Sequence, residues 1–154
     1  MKDLIQYSNQ LYLYASQYYG EREVPGKESN QTILGWLKDI FPWVDNEIAW
    51  CSAFMNAMAK ANGLEHPTEK AGAARSWLNV GLAVTDGPVI GDVCVFWRES
   101  PKSWKGHVGL FVRETEKFIW VLGGNQSDQV NIRPYTKSRL LSIRRLIPLE
   151  DEQA

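Results

Sequence analysis

The stretch Gly91-Asp92-Val93-Cys94-Val95-Phe96-Trp97 marks the point where the sequence changes from helical to extended patterning. Its β-branched and aromatic residues follow a Gly-Asp turn, which predicts a strand. Charged residues at 113–117 predict the turn of a hairpin between the next two strands. Further apolar runs complete a predicted antiparallel sheet of about five strands. These runs are residues 108–112, 118–122, 130–132 and 140–147.

Upstream of the predicted sheet, apolar residues recur at the spacing of amphipathic helices. The predicted helices extend over residues 3–19, from an N-cap at Ser29 to Phe41-Pro42, from Trp50 to Asn62, and from a cap at Thr68 through residue 78. Helices followed by a run of strands are typical of the α+β class. We therefore expect N-terminal helices packed on one face of a C-terminal antiparallel sheet.

The 154-residue chain has the size of one domain, with a predicted core over about residues 20–147 and an acidic tail at 150–154. Its net charge of −1 is unlike the basic surface of nucleic-acid-binding proteins, so no nucleic-acid partner is expected. No run approaches the ~18 apolar residues of a transmembrane segment. The start, MKDLIQYSNQ, lacks the apolar region of a secretory signal. We expect a monomer made in the cytosol with reduced cysteines.

Three polar residues are predicted to meet at one edge of the sheet. Cys51 begins the third helix, where backbone N–H groups and the helix dipole stabilise a thiolate. His107 begins one predicted strand. Asn125 comes after the end of the next predicted strand, directly following the two glycines Gly123-Gly124. In an antiparallel pair the start of one strand lies beside the end of its neighbour. The spacing therefore suits a Cys–His–Asn relay.

Other interpretations of these residues stay open, since a Cys such as Cys51 is most often a small buried hydrophobic residue. Cys94 lies inside an apolar run, which favours a buried, unreactive thiol. The cysteine and histidine residues are scattered without CxxC or HxxxH pairing, so we expect neither a zinc site nor another cofactor. His107 alone could also serve as a strand cap, and Gly123-Gly124 as a tight turn.

Tryptophans near the predicted site are candidates for the walls of a substrate cleft. Trp50 and Trp97 fit this role and core packing equally well. Trp104 lies in a polar loop beside His107, which makes it the better candidate for substrate contact. Gln126 is a further candidate for contacting substrate.

Five segments resemble, in order, those of CHAP-type cysteine amidohydrolases and peptidases, in particular a small phage and bacterial subgroup related to NlpC enzymes. They are Glu47–Asn56 with its Trp-Cys-Ser-Ala-Phe helix start, Ala74–Trp77, Gly91–Phe96, Gly106–Gly109 and Leu122–Gln126. The resemblance covers roughly residues 20–147. It implies a papain-like α+β fold and hydrolysis of amide bonds in peptidoglycan.

By position in these segments, the resemblance makes Cys51 the nucleophile, His107 the base and Asn125 the group that orients the imidazole. The chain departs from the family at two places. Ala49 stands where the family usually has Pro, which leaves the entry to the nucleophile helix less rigid.

The second departure concerns the third member of the relay. Gly123 stands where many relatives have a Glu, two positions before Asn125, so no carboxylate assists His107 from that side. Gln126 or Asp128 can therefore share the orienting role.

The expected role is that of a compact endolysin, which reaches the wall through a holin-type pore. An exported antibacterial effector with the same amidase chemistry is the first alternative. A non-catalytic wall-binding or structural module with a silent site is the second. The bond that is cut stays open among the muramoyl–alanine amide, the stem peptide and the cross-bridge.

Overall fold

The structure is a computed structural model that describes residues 3–22, 30–40 and 50–149. Its helices are α1 (Leu4–Ser16), α2 (Gln31–Lys38) and α3 (Cys51–Ala61), followed by a 3-10 helix, Ala74–Asn79. The strands are β1 (Leu82–Ala83), β2 (Val93–Trp97), β3 (Gly106–Glu114), β4 (Phe118–Gly123), β5 (Asn131–Thr136) and β6 (Leu140–Arg145), with a short 3-10 helix, Lys137–Arg139, before β6.

The predicted α+β class, with N-terminal helices and a C-terminal antiparallel sheet, is confirmed. The sheet has six strands rather than about five, in the order β1-β6-β2-β3-β4-β5. The additional strand, β1, has two residues, which is too short to produce an alternating pattern. β5 continues beyond the predicted run to Thr136 and contains Pro134, which is tolerated because β5 is an edge strand.

The helix ends differ from the prediction by a few residues. Asn30 caps α2, since its side-chain oxygen accepts hydrogen bonds from the backbone N–H groups of Thr32 (2.8 Å) and Ile33 (3.1 Å). The predicted cap Ser29 and the predicted end at Phe41-Pro42 lie outside the described residues, and α2 ends at Lys38.

The predicted fourth helix is a 3-10 helix and starts at Ala74, not near Thr68. Ala74 and Trp77 are its buried residues, and this three-residue spacing places both side chains on one face of a 3-10 helix.

The two faces of the sheet carry separate apolar clusters. Val93 and Val95 of β2 point toward the helices and pack in the main core with large side chains such as Phe54 and Trp77. Alternate residues of the same strand, Cys94 and Phe96, pack in a smaller cluster with Phe111, Ile119, Val121 and Ile143. α3 packs against β3 and β4, and its first residue shares a cavity with residues at the start of β3 and in the turn after β4.

A buried polar cluster ties α1 to the opposite end of β2 and β3. The Asp92 carboxylate is fully buried and accepts hydrogen bonds from Arg145 Nε (2.9 Å) and Nη2 (2.8 Å). Ser8 Oγ of α1 donates to the same carboxylate at 3.1 Å. Gly91 has a φ of 97°, and a Cβ there would lie 1.8 Å from the Ser8 carbonyl oxygen. Only glycine permits this close contact between helix and sheet.

Across residues 3–22, 30–40 and 50–149, none of the helices combines the length and apolar character needed to cross a membrane.

Candidate active site

Cys51 is the first residue of α3, as predicted, and its side chain is nearly buried. The helix start is fixed by a hydrogen-bonded anchor at the next residue. Ser52 Oγ donates to the Ala71 carbonyl at 2.6 Å and accepts from Trp77 Nε1 at 2.9 Å. These two hydrogen bonds tie the first turn of α3 to the segment of the chain that contains Ala71 and Trp77.

His107 is the second residue of β3 and lies opposite Phe96 of β2. Its imidazole is stacked on the Tyr135 ring, with centroids 4.7 Å apart and planes inclined by 20°. Its Nε2 atom is 2.8 Å from Gln126 Oε1. The ring is therefore held by one stacking contact and one hydrogen bond.

The neighbours of Gln126 determine which imidazole nitrogen carries the proton. Gln126 Nε2 donates to the Asn131 backbone carbonyl (2.8 Å) and to Asn131 Oδ1 (3.0 Å). The amide oxygen must then face His107, and an oxygen can only accept. The hydrogen bond thus assigns the proton of the neutral imidazole to Nε2 and leaves Nδ1 as the basic nitrogen.

Cys51 and His107 line one small cavity of about 120 Å³, together with Arg98, Gly106, Asn125 and Tyr135. The nucleophile candidate comes from the helical half of the chain. The other lining residues come from the sheet and its loops. The structure thus brings the predicted Cys51, His107 and Asn125 together around one space.

The predicted role of Asn125 is corrected by this geometry. The partner of the imidazole is Gln126, which the sequence admitted as a second possibility. Asn125 lines the cavity, and its backbone has a φ of 59°. Since β4 ends at Gly123, the residues after it leave the alternation of a strand, and the side chain two places later no longer takes the expected direction.

Gln126 was also predicted to contact substrate. Its side chain is 3% exposed and its amide is hydrogen-bonded to His107 and Asn131. It is therefore a positioning residue and not part of a substrate surface. Asp128 lies exposed on the turn after it, with a φ of 63°.

Both candidate reacting groups are neutral in the folded protein. Burial lowers the pKa of His107 to about 4; the Gln126 hydrogen bond raises it and the Arg98 cation lowers it further. Burial also raises the pKa of the Cys51 thiol above its usual range. At neutral pH the site therefore holds a thiol and an uncharged imidazole.

This outcome corrects the expectation that the helix start stabilises a thiolate. The expected effect is present, because the backbone N–H groups of Ser52 and Cys51 at the helix start lower the pKa of the thiol, as does that of Val108 in β3. The Arg98 cation acts in the same direction. The removal of the sulfur from water outweighs all of these contributions.

Cys94 shows what a purely structural thiol looks like in this fold. It lies in the middle of β2, is fully buried, and burial raises its pKa well above the usual range. The interpretation of Cys94 as a buried residue is confirmed.

The three tryptophans predicted as cleft walls lie outside the cavity that contains Cys51. Trp50 is fully buried and packs against Trp36, with ring centroids 6.0 Å apart, so it belongs to the core. Trp97 is half-buried, and the Arg139 guanidinium lies 4.7 Å from its ring centroid. Trp104 is 72% exposed and lines a separate cleft of about 580 Å³.

Two residues of the cavity, Arg98 and Tyr135, were not predicted. Arg98 follows β2 directly, and the register that pairs Trp97 with Gly106 brings it beside the start of β3. Tyr135 comes from the edge strand β5. Strand pairing, rather than any local motif, places both beside His107. Among the described residues, no three His, Cys, Asp or Glu side chains come together in a way that could hold a metal ion.

No protein-family model matches this sequence, and no curated protein matches it. The site is thus defined by its own geometry: a thiol at a helix start, an imidazole of fixed tautomer, and a cation in one cavity.

Proposed function

We propose that this protein is a cysteine amidohydrolase that cleaves an amide bond of the peptidoglycan peptide. The observation that carries the proposal is the hydrogen bond between His107 Nε2 and Gln126 Oε1, in a cavity that His107 shares with Cys51. It gives a buried imidazole one defined basic nitrogen beside a candidate nucleophile, which is the arrangement that covalent acyl transfer needs. The resemblance of five sequence segments to CHAP-type enzymes supplies the wall peptide as substrate class.

The proposed reaction begins from the neutral pair. As Cys51 Sγ attacks the scissile carbonyl and forms the S–C bond, His107 Nδ1 accepts the thiol proton. The imidazolium then donates this proton to the leaving amine as the C–N bond breaks. In the second half, His107 removes a proton from water as the water attacks the acyl-enzyme. The S–C bond then breaks, the acid product leaves, and the imidazolium returns the proton to the Cys51 sulfur.

The developing oxyanion needs hydrogen-bond donors that are already in place. The backbone N–H of Cys51 lies at the start of α3, where the first turn has no intrahelical acceptors. We assign this group as one donor of the oxyanion hole.

Gln126 supports the reaction through His107. A neutral carboxamide cannot stabilise an imidazolium as a carboxylate does, so its contribution is to hold the ring and its tautomer. The contacts of its amide group with Asn131 keep the oxygen directed at the ring throughout.

The role in the cell that we infer is that of an endolysin-like lytic enzyme released through a holin-type pore. An exported effector amidase would use the same residues and chemistry.

Digestion of purified peptidoglycan tests the proposal. The wild-type protein should release new amino termini, and mass spectrometry of the fragments identifies the amide bond that is cut. Cys51→Ala should lose at least about 10⁴-fold in rate, because the attacking atom is removed.

Cys94→Ala is the matched control, since it removes the other thiol and leaves the cavity intact. It should retain its activity. Hydrolysis by folded Cys51→Ala at the wild-type rate would exclude the mechanism, and a wild-type protein that releases no termini would point to a non-catalytic wall-binding module.

A further inference from the structure

Arg98 places a positive charge in the cavity that holds Cys51 and His107. Its backbone N–H donates to the Lys105 carbonyl at 3.2 Å, and its Nε donates to the Gly106 carbonyl at 3.2 Å. These two contacts fix the base of the side chain on the strand that carries His107. The guanidinium Nη1 and Nη2 groups are then available to a ligand in the cavity.

No carboxylate in the described part of the chain forms a salt bridge with this cation. The adjacent acidic residue, Glu99, forms its salt bridge with Lys105 at 2.7 Å, and the Arg98 charge makes a smaller contribution to lowering the Glu99 pKa. The other described salt bridges involve Asp39, Asp92 and Glu114, none of which lines the cavity. The cavity has two groups that could become anions by losing a proton, Cys51 and Tyr135. Both are uncharged at neutral pH because burial raises the pKa of each.

The Arg98 charge favours ionisation of the Cys51 thiol but opposes the step in which His107 becomes positively charged. His107 must become an imidazolium during the reaction, and a nearby guanidinium disfavours a second positive charge. An anion bound at Arg98 would remove that repulsion. The charge therefore fits a substrate that brings its own negative group.

We propose that Arg98 binds a carboxylate that the substrate carries beside the scissile amide. This inference rests on the proposed function and narrows it to wall peptides with a free acid next to the bond that is cut. A guanidinium binds a carboxylate through two parallel N–H···O bonds, and a carboxamide cannot replace both acceptors. Stem peptides whose acid is converted to an amide are then poor substrates.

Alkylation of Cys51 with a matched pair of reagents tests the carboxylate site without any wall substrate. Iodoacetate and iodoacetamide both form an S–C bond with Sγ as the thiol loses its proton and iodide leaves, and they differ in carrying a carboxylate or a carboxamide. The measured quantity is the ratio of the two rate constants at Cys51, obtained by peptide mapping. Arg98→Gln should lower the iodoacetate-to-iodoacetamide ratio about tenfold.

Arg139→Gln is the matched control, because it removes a cation that lies over Trp97 and outside the cavity. It should leave the ratio at the wild-type value. A ratio that Arg98→Gln does not change, or that both variants lower equally, would overturn the inference.

A pair of synthetic wall peptides extends the test to hydrolysis. They differ only in a carboxylate or a carboxamide beside the scissile amide. The wild-type protein should prefer the acid, and Arg98→Gln should reduce that preference by a similar factor.

The outcomes separate the two proposals. Reactive Cys51 with a ratio independent of Arg98 overturns the carboxylate site and leaves the hydrolase in place. A ratio that depends on Arg98, in a protein that cleaves no wall peptide, supports the carboxylate site and overturns the hydrolase. A Cys51 that resists both reagents in the folded protein overturns both.

Discussion

The β2–β3 pair has a charged residue next to each end of β2, and the two ends differ in how those charges are satisfied. At one end, Asp92 is fully buried and receives hydrogen bonds from Arg145, Ser8 and the Val89 backbone. At the other end, the exposed Arg98 donates one side-chain N–H to a backbone carbonyl and forms no salt bridge with an acidic residue among the described residues.

This difference distinguishes a structural role for the charge at Asp92 from a ligand-binding role for the charge at Arg98. A buried charge whose hydrogen-bonding groups are all occupied by the protein holds elements together and has nothing left for a ligand. An exposed cation that lines a cavity with unused donors, as Arg98 does, remains free to bind a ligand. The prediction with the largest effect concerns the end of β2 at Asp92, and the smaller ones concern the end at Arg98, where the cavity lies.

Loss of the buried charge should have the largest effect. Asp92→Ala leaves Arg145 without its carboxylate and should reduce the free energy of unfolding by about 3–5 kcal/mol, measured by urea denaturation. Arg98→Gln, at the exposed end, should change it by about 0.5 kcal/mol or less. Similar losses in the two variants would show that the contrast between the ends is wrong.

The second prediction concerns the pH dependence of stability. An unfolded histidine has a pKa near ~6.5, whereas burial lowers the pKa of His107 to about 4. As the pH falls, the unfolded chain therefore binds a proton before the folded protein does. Stability should decrease by about 1.4 kcal/mol per pH unit over this interval, or about 3 kcal/mol in total, and should be independent of His107 above it.

Urea denaturation at several pH values measures this slope. His107→Ala should abolish that part of the dependence, while His66→Ala, which removes the other histidine outside the cavity, should retain it. Equal slopes in wild type and His107→Ala would contradict a buried neutral imidazole.

Removal of the positioning amide should have a smaller effect, confined to catalysis. Gln126→Ala frees the imidazole to rotate and to change tautomer, and we expect about a 100-fold loss of kcat with little change in KM. Steady-state kinetics on a wall peptide provide the measurement. An unchanged kcat would mean that Tyr135 stacking alone orients the ring.

The smallest effect should come from the residue next to it. Asn125→Gly removes the side chain but suits the positive φ of that position, so backbone strain does not confuse the result. We expect less than about a tenfold loss of activity, because Asn125 lines the cavity without holding His107. If Asn125→Gly lost more activity than Gln126→Ala, Asn125 and not Gln126 would be the residue that orients the imidazole.

The fold class could be predicted because helices and strands with a buried face have apolar residues at regular spacing in the sequence. The β2 stretch and the helical spacing before it were sufficient for the class and for Cys51 at a helix start. The strand β1 has no such spacing, since its two residues are both exposed and owe their conformation to pairing with β6.

The site could be predicted only in part. Cys51 and His107 lie at the ends of regular elements, where position follows from spacing. Asn125 and Gln126 are adjacent in a turn in which Asn125, but not Gln126, has a positive φ. Nothing in the local sequence determines which of the two side chains turns toward the imidazole. The direction of the pKa shift of the Cys51 thiol could not be predicted from the local sequence either, because desolvation depends on everything packed around Cys51.

The contact between Trp50 and Gly124 has a consequence for the stage of folding at which the candidate site is complete. A Cβ at Gly124 would lie 2.7 Å from the Trp50 ring, so the turn that carries Gln126 closes directly on the residue that precedes Cys51. The helices emerge first during synthesis and contain the thiol, whereas Gln126 and Asn131 come from the last third of the chain. Under the proposed function, a partly synthesised chain therefore holds the Cys51 sulfur without an aligned base, and the site is complete only when the β4–β5 hairpin has formed and docked.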